Sequence, residues 1–192
     1  LRRTKKDVLD DLPDKIEDYR YCQLTDEQVG LYRKILAERA KAVLSGLHQA
    51  KGGIPYLHVF AVLQQLKRIC DHPALLAGSG HFSEHKSGKF ELLKELIDEA
   101  LDSDQKVVIF SQYIEMVKII SDYCHSRQIA HVTLTGQTNN RGAIISSFQE
   151  DPNVRIFIGS LLAGGVGIDL TAASIVIHYD RWWNPSKENQ AT

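Results

Sequence analysis

Three short segments carry residues whose types and spacing could do chemistry. Gly164, Gly165 and Gly167 follow an apolar stretch that ends at Ser160, and Asp169 stands two residues beyond them. Glycine loses more conformational freedom on folding than any other residue, so this clustering points to a positive-φ turn or to a ligand lying against the main chain. Within the run, "GVGIDL" follows a strand-like segment as a dinucleotide fingerprint should. Leu170, however, occupies the third glycine position, and the strand comes third in its unit rather than first. "SEHKSGKF" ends in the Gly88-Lys89 pair of a Walker loop, yet Ser83 replaces the loop's glycine, Phe90 replaces its Ser or Thr, and no strand precedes it. That segment reads as a loop entering a helix. Cys70 and His72 in "CDHP" have no second pair at ligand spacing, so no metal site is expected.

The elements around these segments decide what they can reach. Thr25 and Gln28 form a capping box, with Leu24 and Val29 placed as its hydrophobic staple, and Val29, Tyr32, Leu36, Val43 and Leu47 continue at helical spacing. After "AKGGIPY", the stripe Val59, Val62, Leu63, Leu66 and Ile69 predicts a second helix, ending before Asp71-His72-Pro73 because proline disfavours helix in its predecessor. The Gly-, Ser- and His-rich loop "AGSGHFSEHKSG" marks a boundary. Beyond it, apolar strands ("KVVIF", "AHVTLT", "VRIFIGS", "SIVIHYD") alternate with helix-sized segments, which argues for a parallel sheet covered on both faces. Ligands of such sheets lie beyond the carboxyl ends of the strands. Those ends are Ser111-Gln112, Thr135-Gly136-Gln137-Thr138, Ser160 with the glycines, and Asp180-Arg181-Trp182-Trp183.

Composition narrows the class further. The 192 residues are 43% hydrophobic with a formal charge of −1, which excludes a disordered chain and gives no global pull toward nucleic acid or membrane, while leaving room for a local phosphate-binding patch. No run of about 18 apolar residues or signal-like core is present. Three widely spaced cysteines, Cys22, Cys70 and Cys124, fit a reducing compartment. An intracellular protein is expected.

Eight segments in order, "LRRTKKDVLDDLPDKIE", "CQLTDEQVGLY", "LKRICDHPALL", "SGKFELLKELI", "KVVIFSQY", "GQTNNR", "SLLAGGVGIDLTAAS" and "VIHYDRWWNPSKENQAT", resemble the C-terminal helicase lobe of the SWI/SNF family of DNA-dependent ATPases, in helicase superfamily two. The resemblance covers essentially the whole chain. It implies an α/β fold, a RecA-like parallel sheet with helices on both faces preceded by a helical insertion. The limits it suggests are 1–24 for a linker and edge strand, 25–85 for the helical insertion, and 86–192 for the lobe, incomplete at its C-terminus.

The resemblance also assigns residues. Ser111 and Gln112, then Gly136, Thr138 and Arg141, then Ser160, Ala163 and Gly164 match segments that face DNA phosphate. Hydroxyl, amide and guanidinium groups suit that role without reading sequence. For Gln112 a strand-end turn cap, and for Arg141 a solvated helix position, stay open as alternatives. Gly165, Gly167, Asp169 and Gln190 match the nucleotide side, Asp169 as an acceptor for ribose hydroxyls. Many members carry asparagine at the Asp169 position and a basic residue at the Leu162 position. Trp182 and Trp183 are either core aromatics or residues of the DNA or lobe interface, one packed and one partly exposed.

The function implied is that of the second lobe of an ATP-dependent double-stranded DNA translocase or remodeller. ATP and Mg²⁺ are the cofactors, and the N-terminal lobe of the same chain is expected upstream, supplying the Walker lysine and the Mg²⁺ ligands. Double-stranded DNA and that lobe are the partners, with no membrane, and localisation is intracellular and DNA-associated. The arginines of the last motif are expected after Thr192, so the chain alone is expected to be inactive. The alternative is a degenerate lobe that binds protein or DNA without ATPase activity.

Overall fold

Segments that are apolar on both faces need cover on both sides, and the computed structural model, which describes residues 16–49, 56–77, 82–164, 168 and 170–181, provides it. In chain order the elements are α1 (Asp26–Gln49), α2 (Tyr56–Asp71), α3 (Ala74–Ala77), a 3₁₀ turn (Phe82–Glu84), α4 (Gly88–Asp102), β1 (Val107–Ser111), α5 (Ile114–Ser126), β2 (His131–Leu134), α6 (Arg141–Glu150), β3 (Ile156–Ser160), α7 (Leu161–Gly164) and β4 (Ile175–His178). The four strands are parallel in the order β2-β3-β1-β4, with Val107 opposite Ile156 and Ile175, and His131 opposite Ile156.

Alternation along the strands splits the core in two. Val107, Ile109, Ile156 and Ile158 pack with Phe90, Leu93 and Ile97 of α4 and with Met116, Ile120 and Cys124 of α5. Val108, Phe110 and Phe157 pack on the other side with Phe148 of α6, and the Phe148 and Phe157 rings meet edge-on at 5.5 Å. Each fully buried side chain of this size stabilises the fold by about 1.5–3 kcal/mol, so these two layers dominate its stability. Because every strand runs the same way, all four carboxyl ends emerge on one edge.

The helical layer is anchored by polar groups. The capping box forms as predicted: the Thr25 N–H donates to Gln28 Oε1 at 3.1 Å, and the Gln28 N–H donates to Thr25 Oγ1 at 3.3 Å. Gln28 is itself fully buried. Its Nε2 donates to the Ile69 carbonyl at 2.7 Å and its Oε1 accepts the Gly88 N–H at 3.1 Å, which ties α1, α2 and α4 together.

The structure departs from the sequence reading in three places. Of the linker and edge strand expected within 1–24, residues 1–15 lie outside the described residues; over 16–24 no strand forms, the segment joins no ladder of the sheet, and Ile16, Tyr19 and Tyr21 are left exposed. The α2 stripe is buried only toward its C-terminal end, at Leu66 and Ile69, while Leu63 is exposed and Val59 and Val62 are half-buried. Likewise, Leu36 of α1 is exposed. Finally, α2 runs through Asp71 rather than stopping before it, since the restriction imposed by Pro73 falls on His72.

Candidate nucleic-acid interface

The turn after β1 is held by Asp180. Ser111 is fully buried; its hydroxyl donates to Asp180 Oδ2 and accepts the Tyr113 N–H at 3.1 Å. The Gln112 N–H donates to Asp180 Oδ1 at 3.0 Å, and Gln112 Nε2 donates to the Arg181 carbonyl at 3.3 Å. Ser111 thus caps the strand end internally, and the half-buried Gln112 is the member of the pair that reaches the surface. Its amide retains a second N–H and an acceptor oxygen for further bonding.

The turn after β2 is closed by its own threonines. The Thr135 N–H donates to Thr138 Oγ1 at 3.0 Å, and the Thr138 N–H donates to the Thr135 carbonyl at 3.2 Å. The Thr138 hydroxyl therefore accepts within the turn and keeps its proton to donate outward. Gly136, between them, is exposed, and a Cβ built on it would meet no heavy atom within 4 Å. Asn140 caps α6 by accepting the Ala143 N–H at 3.4 Å. Arg141 follows, exposed, with Nη2 donating to the Ala163 carbonyl at 3.1 Å. This bond joins the start of α6 to α7 beyond β3. Ser160 and Ala163 are buried, and Ser160 stands opposite Ser111 in the strand register. Gly164 closes α7.

The structure therefore brings Ser111, Gln112 and Ser160 together at neighbouring strand ends, and joins Arg141 to Ala163. Gly165, Gly167, Asp169, Trp182, Trp183 and Gln190 lie outside the described residues. Among the described residues no group of three or more His, Cys, Asp or Glu could hold a metal ion.

Sequence reasoning missed the support behind this edge. Tyr113 Oη donates to Gln64 Oε1 at 2.7 Å, Lys67 Nζ donates to the Arg181 carbonyl, and the Arg68 guanidinium lies 5.1 Å from the centre of the Tyr113 ring. The Asp71 carbonyl accepts from Tyr179 Oη at 2.6 Å and from Ser87 Oγ at 2.8 Å. The positions 64, 67, 68 and 71 follow helical spacing, a signal legible beside the apolar stripe. Burial pushes the Asp71 carboxyl up to about 6 despite the Lys89 ammonium at 2.5 Å, because desolvation outweighs the pair. His72, also buried, is held down to about 4; its Nδ1 accepts the Ala74 N–H at 3.2 Å, and its Nε2 has no hydrogen-bond partner among the described residues.

Comparison with known proteins follows the same outline. Residues 88–192 match the helicase conserved C-terminal domain, and residues 1–75 match the SNF2-related domain. The chain is 34% identical over 206 residues to the putative ATP-dependent helicase/translocase YwqA of Bacillus subtilis, a match that takes in all of this chain and 21% of that protein. It is similar to the Sulfolobus solfataricus SWI2/SNF2 ATPase C-terminal domain, with 40% identity and a TM-score of 0.80 over 92% of this chain and 76% of that one. It is also similar to the Sulfolobus solfataricus SWI2/SNF2 ATPase core in complex with double-stranded DNA, with 39% identity and a TM-score of 0.79 over 98% of this chain and 40% of that one. The chain spans about a fifth of the length of the curated relatives it matches.

Proposed function

This chain belongs to the SWI2/SNF2 family and is its RecA-like C-terminal helicase lobe, and from that premise we propose that it is the DNA-gripping second lobe of an ATP-dependent double-stranded DNA translocase. The observation that carries the reading is the shared edge of the four parallel strands, where Gln112, Gly136, Thr138 and Arg141 stand at or near the surface. An amide, a hydroxyl, an unhindered backbone and a guanidinium on one edge suit a run of phosphates and read no bases. With a formal charge of −1, attraction to DNA has to come from this local edge. Ser111, Ser160, Ala163 and Gly164 form the framework behind it.

Residues 25–85 make up the helical insertion and 86–192 the lobe. Gly165 and Gly167 let a nucleotide approach the main chain, Asp169 accepts from its ribose hydroxyls, and Gln190 completes this wall of the cleft. Bound ATP, with Mg²⁺ neutralising its phosphates, supplies the phosphoryl chemistry, and the metal ligands and Walker lysine are assigned to the N-terminal lobe. This lobe's own residues bind and orient. The chain alone is accordingly expected to hydrolyse no ATP.

A second reading, a lobe that serves only as a binding module, draws on the exposed Tyr56, Leu57 and Phe60 of α2. One experiment separates the two. Steady-state ATP hydrolysis by the full-length protein is measured over a matrix of ATP and DNA concentrations. Arg141→Ala is expected to lower DNA stimulation more than basal turnover, and Asp169→Ala to raise the KM for ATP by roughly tenfold, the effect of one hydrogen bond to a charged group. Absence of DNA-stimulated turnover in the wild-type protein would favour the binding module.

A further inference from the structure

The role of the helical insertion is written on one face of α2. Gln64, Lys67, Arg68 and Asp71, at helical spacing, each touch one of the two strand-end turns that frame Gln112. Gln64 accepts from the Tyr113 hydroxyl, and Arg68 lies over the Tyr113 ring and pairs with Glu115 at 3.5 Å. On the other side Lys67 donates to the Arg181 carbonyl, and the Asp71 carbonyl accepts from the Tyr179 hydroxyl. Between those two contacts sits Asp180, whose carboxylate takes the Gln112 N–H and the Ser111 hydroxyl.

Gln112 is consequently held at two points. Its backbone is fixed by Asp180 and its side chain by the Arg181 carbonyl, the same oxygen that Lys67 engages. A surface glutamine has several rotamers, and freezing one of them in advance reduces the entropy lost when the amide meets a phosphate. An insertion serving only as an outward docking module would not need three polar side chains and a main-chain carbonyl directed at these turns.

Building on the DNA-gripping reading, we propose that the polar stripe of α2, with Lys67 at its centre, is a positioning device for Gln112, so that the helical insertion sets the grip of the lobe on DNA. Lys67 acts through the Arg181 carbonyl and touches no phosphate. Gln64 and Arg68 steady the same turn from the Tyr113 side. Asp71 locks the end of α2 to the strand edge through Tyr179.

The test is equilibrium binding of the full-length protein to a short DNA duplex over a range of salt concentrations, at a temperature well below the melting point of every variant. Lys67→Met keeps the aliphatic stem and removes the donor. It is expected to weaken binding about threefold or more, as contacting groups in one network typically couple, with the slope of log K against log salt unchanged. Lys67→Arg, which restores a donor, is expected to recover most of the loss. In a Gln112→Ala background, Lys67→Met is expected to add nothing further.

Three results would overturn the proposal. A salt slope reduced by about 0.9 in Lys67→Met would make Lys67 a direct phosphate contact. A full additional loss in the Gln112→Ala background would show that Lys67 acts elsewhere, while leaving the DNA-gripping role of Gln112 intact. If Gln112→Ala itself binds DNA as tightly as wild type, the assignment of Gln112 fails, and this inference fails with it.

Discussion

The N-terminal end of α4 and the turn after β2 each place a glycine among hydrogen-bonded polar groups, and the two glycines are there for opposite reasons. At Gly88 a Cβ would lie 1.9 Å from the Gln23 carbonyl oxygen. The Gly88 N–H is taken by buried Gln28, and Ser87 caps the helix by accepting the Phe90 N–H at 3.3 Å. Gly136, by contrast, is exposed with nothing within 4 Å of where its Cβ would stand, and no positive φ requires glycine there. The first glycine is required by the fold, and the second has room that the fold leaves unused. Crowded polar groups fix one another, whereas a turn that spares space and outward donors is suited to a visitor.

Breaking the first half of this comparison is expected to give the largest effect. Gly88→Ala drives a methyl into a main-chain carbonyl rather than into a side chain that could swing away. It should destabilise the fold by roughly 3 kcal/mol or more, at the severe end of overpacking. Urea unfolding followed by circular dichroism measures it. A loss under about 1 kcal/mol would mean that residues around Gln23 move aside easily, and the junction would not be the closed structure argued here.

A smaller effect sharpens the same point through pH. The folded state holds the Asp71 carboxyl at about 6, above its usual 3.8, so its contribution to stability is greatest at low pH and falls as pH rises from about 4 to about 6. His72, held at about 4 instead of 6.5, contributes the reverse: stability rises as pH climbs from about 4 to about 6.5. Each term amounts to about 3 kcal/mol at most by linkage, so in the wild type they largely cancel. Asp71→Asn should expose the rise belonging to His72. His72→Asn, which keeps an acceptor for the Ala74 N–H, should expose the fall belonging to Asp71. The measurement is denaturant unfolding of the three proteins across this pH window. Parallel profiles for all three would show both groups to be hydrated, and the contrast with the open turn would collapse.

How much of this was legible in the sequence follows from what each signal depends on. Strand and helix positions were readable because period and apolarity are local, and the Thr25–Gln28 capping box formed as spaced. Of the linker and edge strand expected within 1–24, only 16–24 falls among the described residues, and no strand forms there, because a ladder depends on what lies beside a segment and not on its own composition alone. In the sequence, turn-capping is an open alternative for Gln112 alone, whereas it is Ser111 whose hydroxyl turns inward to Asp180, a residue distant in sequence. The buried polar groups Gln28, Asp71 and His72 were invisible as a unit for the same reason: three elements, far apart in the chain, converge on them. Gly88 was set aside when the Walker pattern failed, and its steric reason could be seen only once the Gln23 carbonyl was in place.

The most delicate test is Gly136→Ala, where the expected change in stability is near zero. With open space at the Cβ position and no backbone strain, the substitution should leave unfolding free energy within about 0.5 kcal/mol of wild type. If the space is kept for a DNA phosphate approaching the main chain, the methyl still has a cost, because it stands where that phosphate would sit. Losing one hydrogen bond to a charged group weakens binding by about tenfold, and the salt slope should hardly change, since no cation is removed. Gly136→Val should weaken binding further while remaining folded, because its branch widens the obstruction on an exposed turn whose Cβ position is open. Duplex binding and urea unfolding are measured side by side for both variants. Unchanged binding in a folded Gly136→Val would show that no ligand comes near this backbone, and the phosphate track would then have to run from Gln112 to Arg141 without it. Reduced stability with unchanged binding would be the more damaging result, since it would make Gly136 a glycine of the same kind as Gly88.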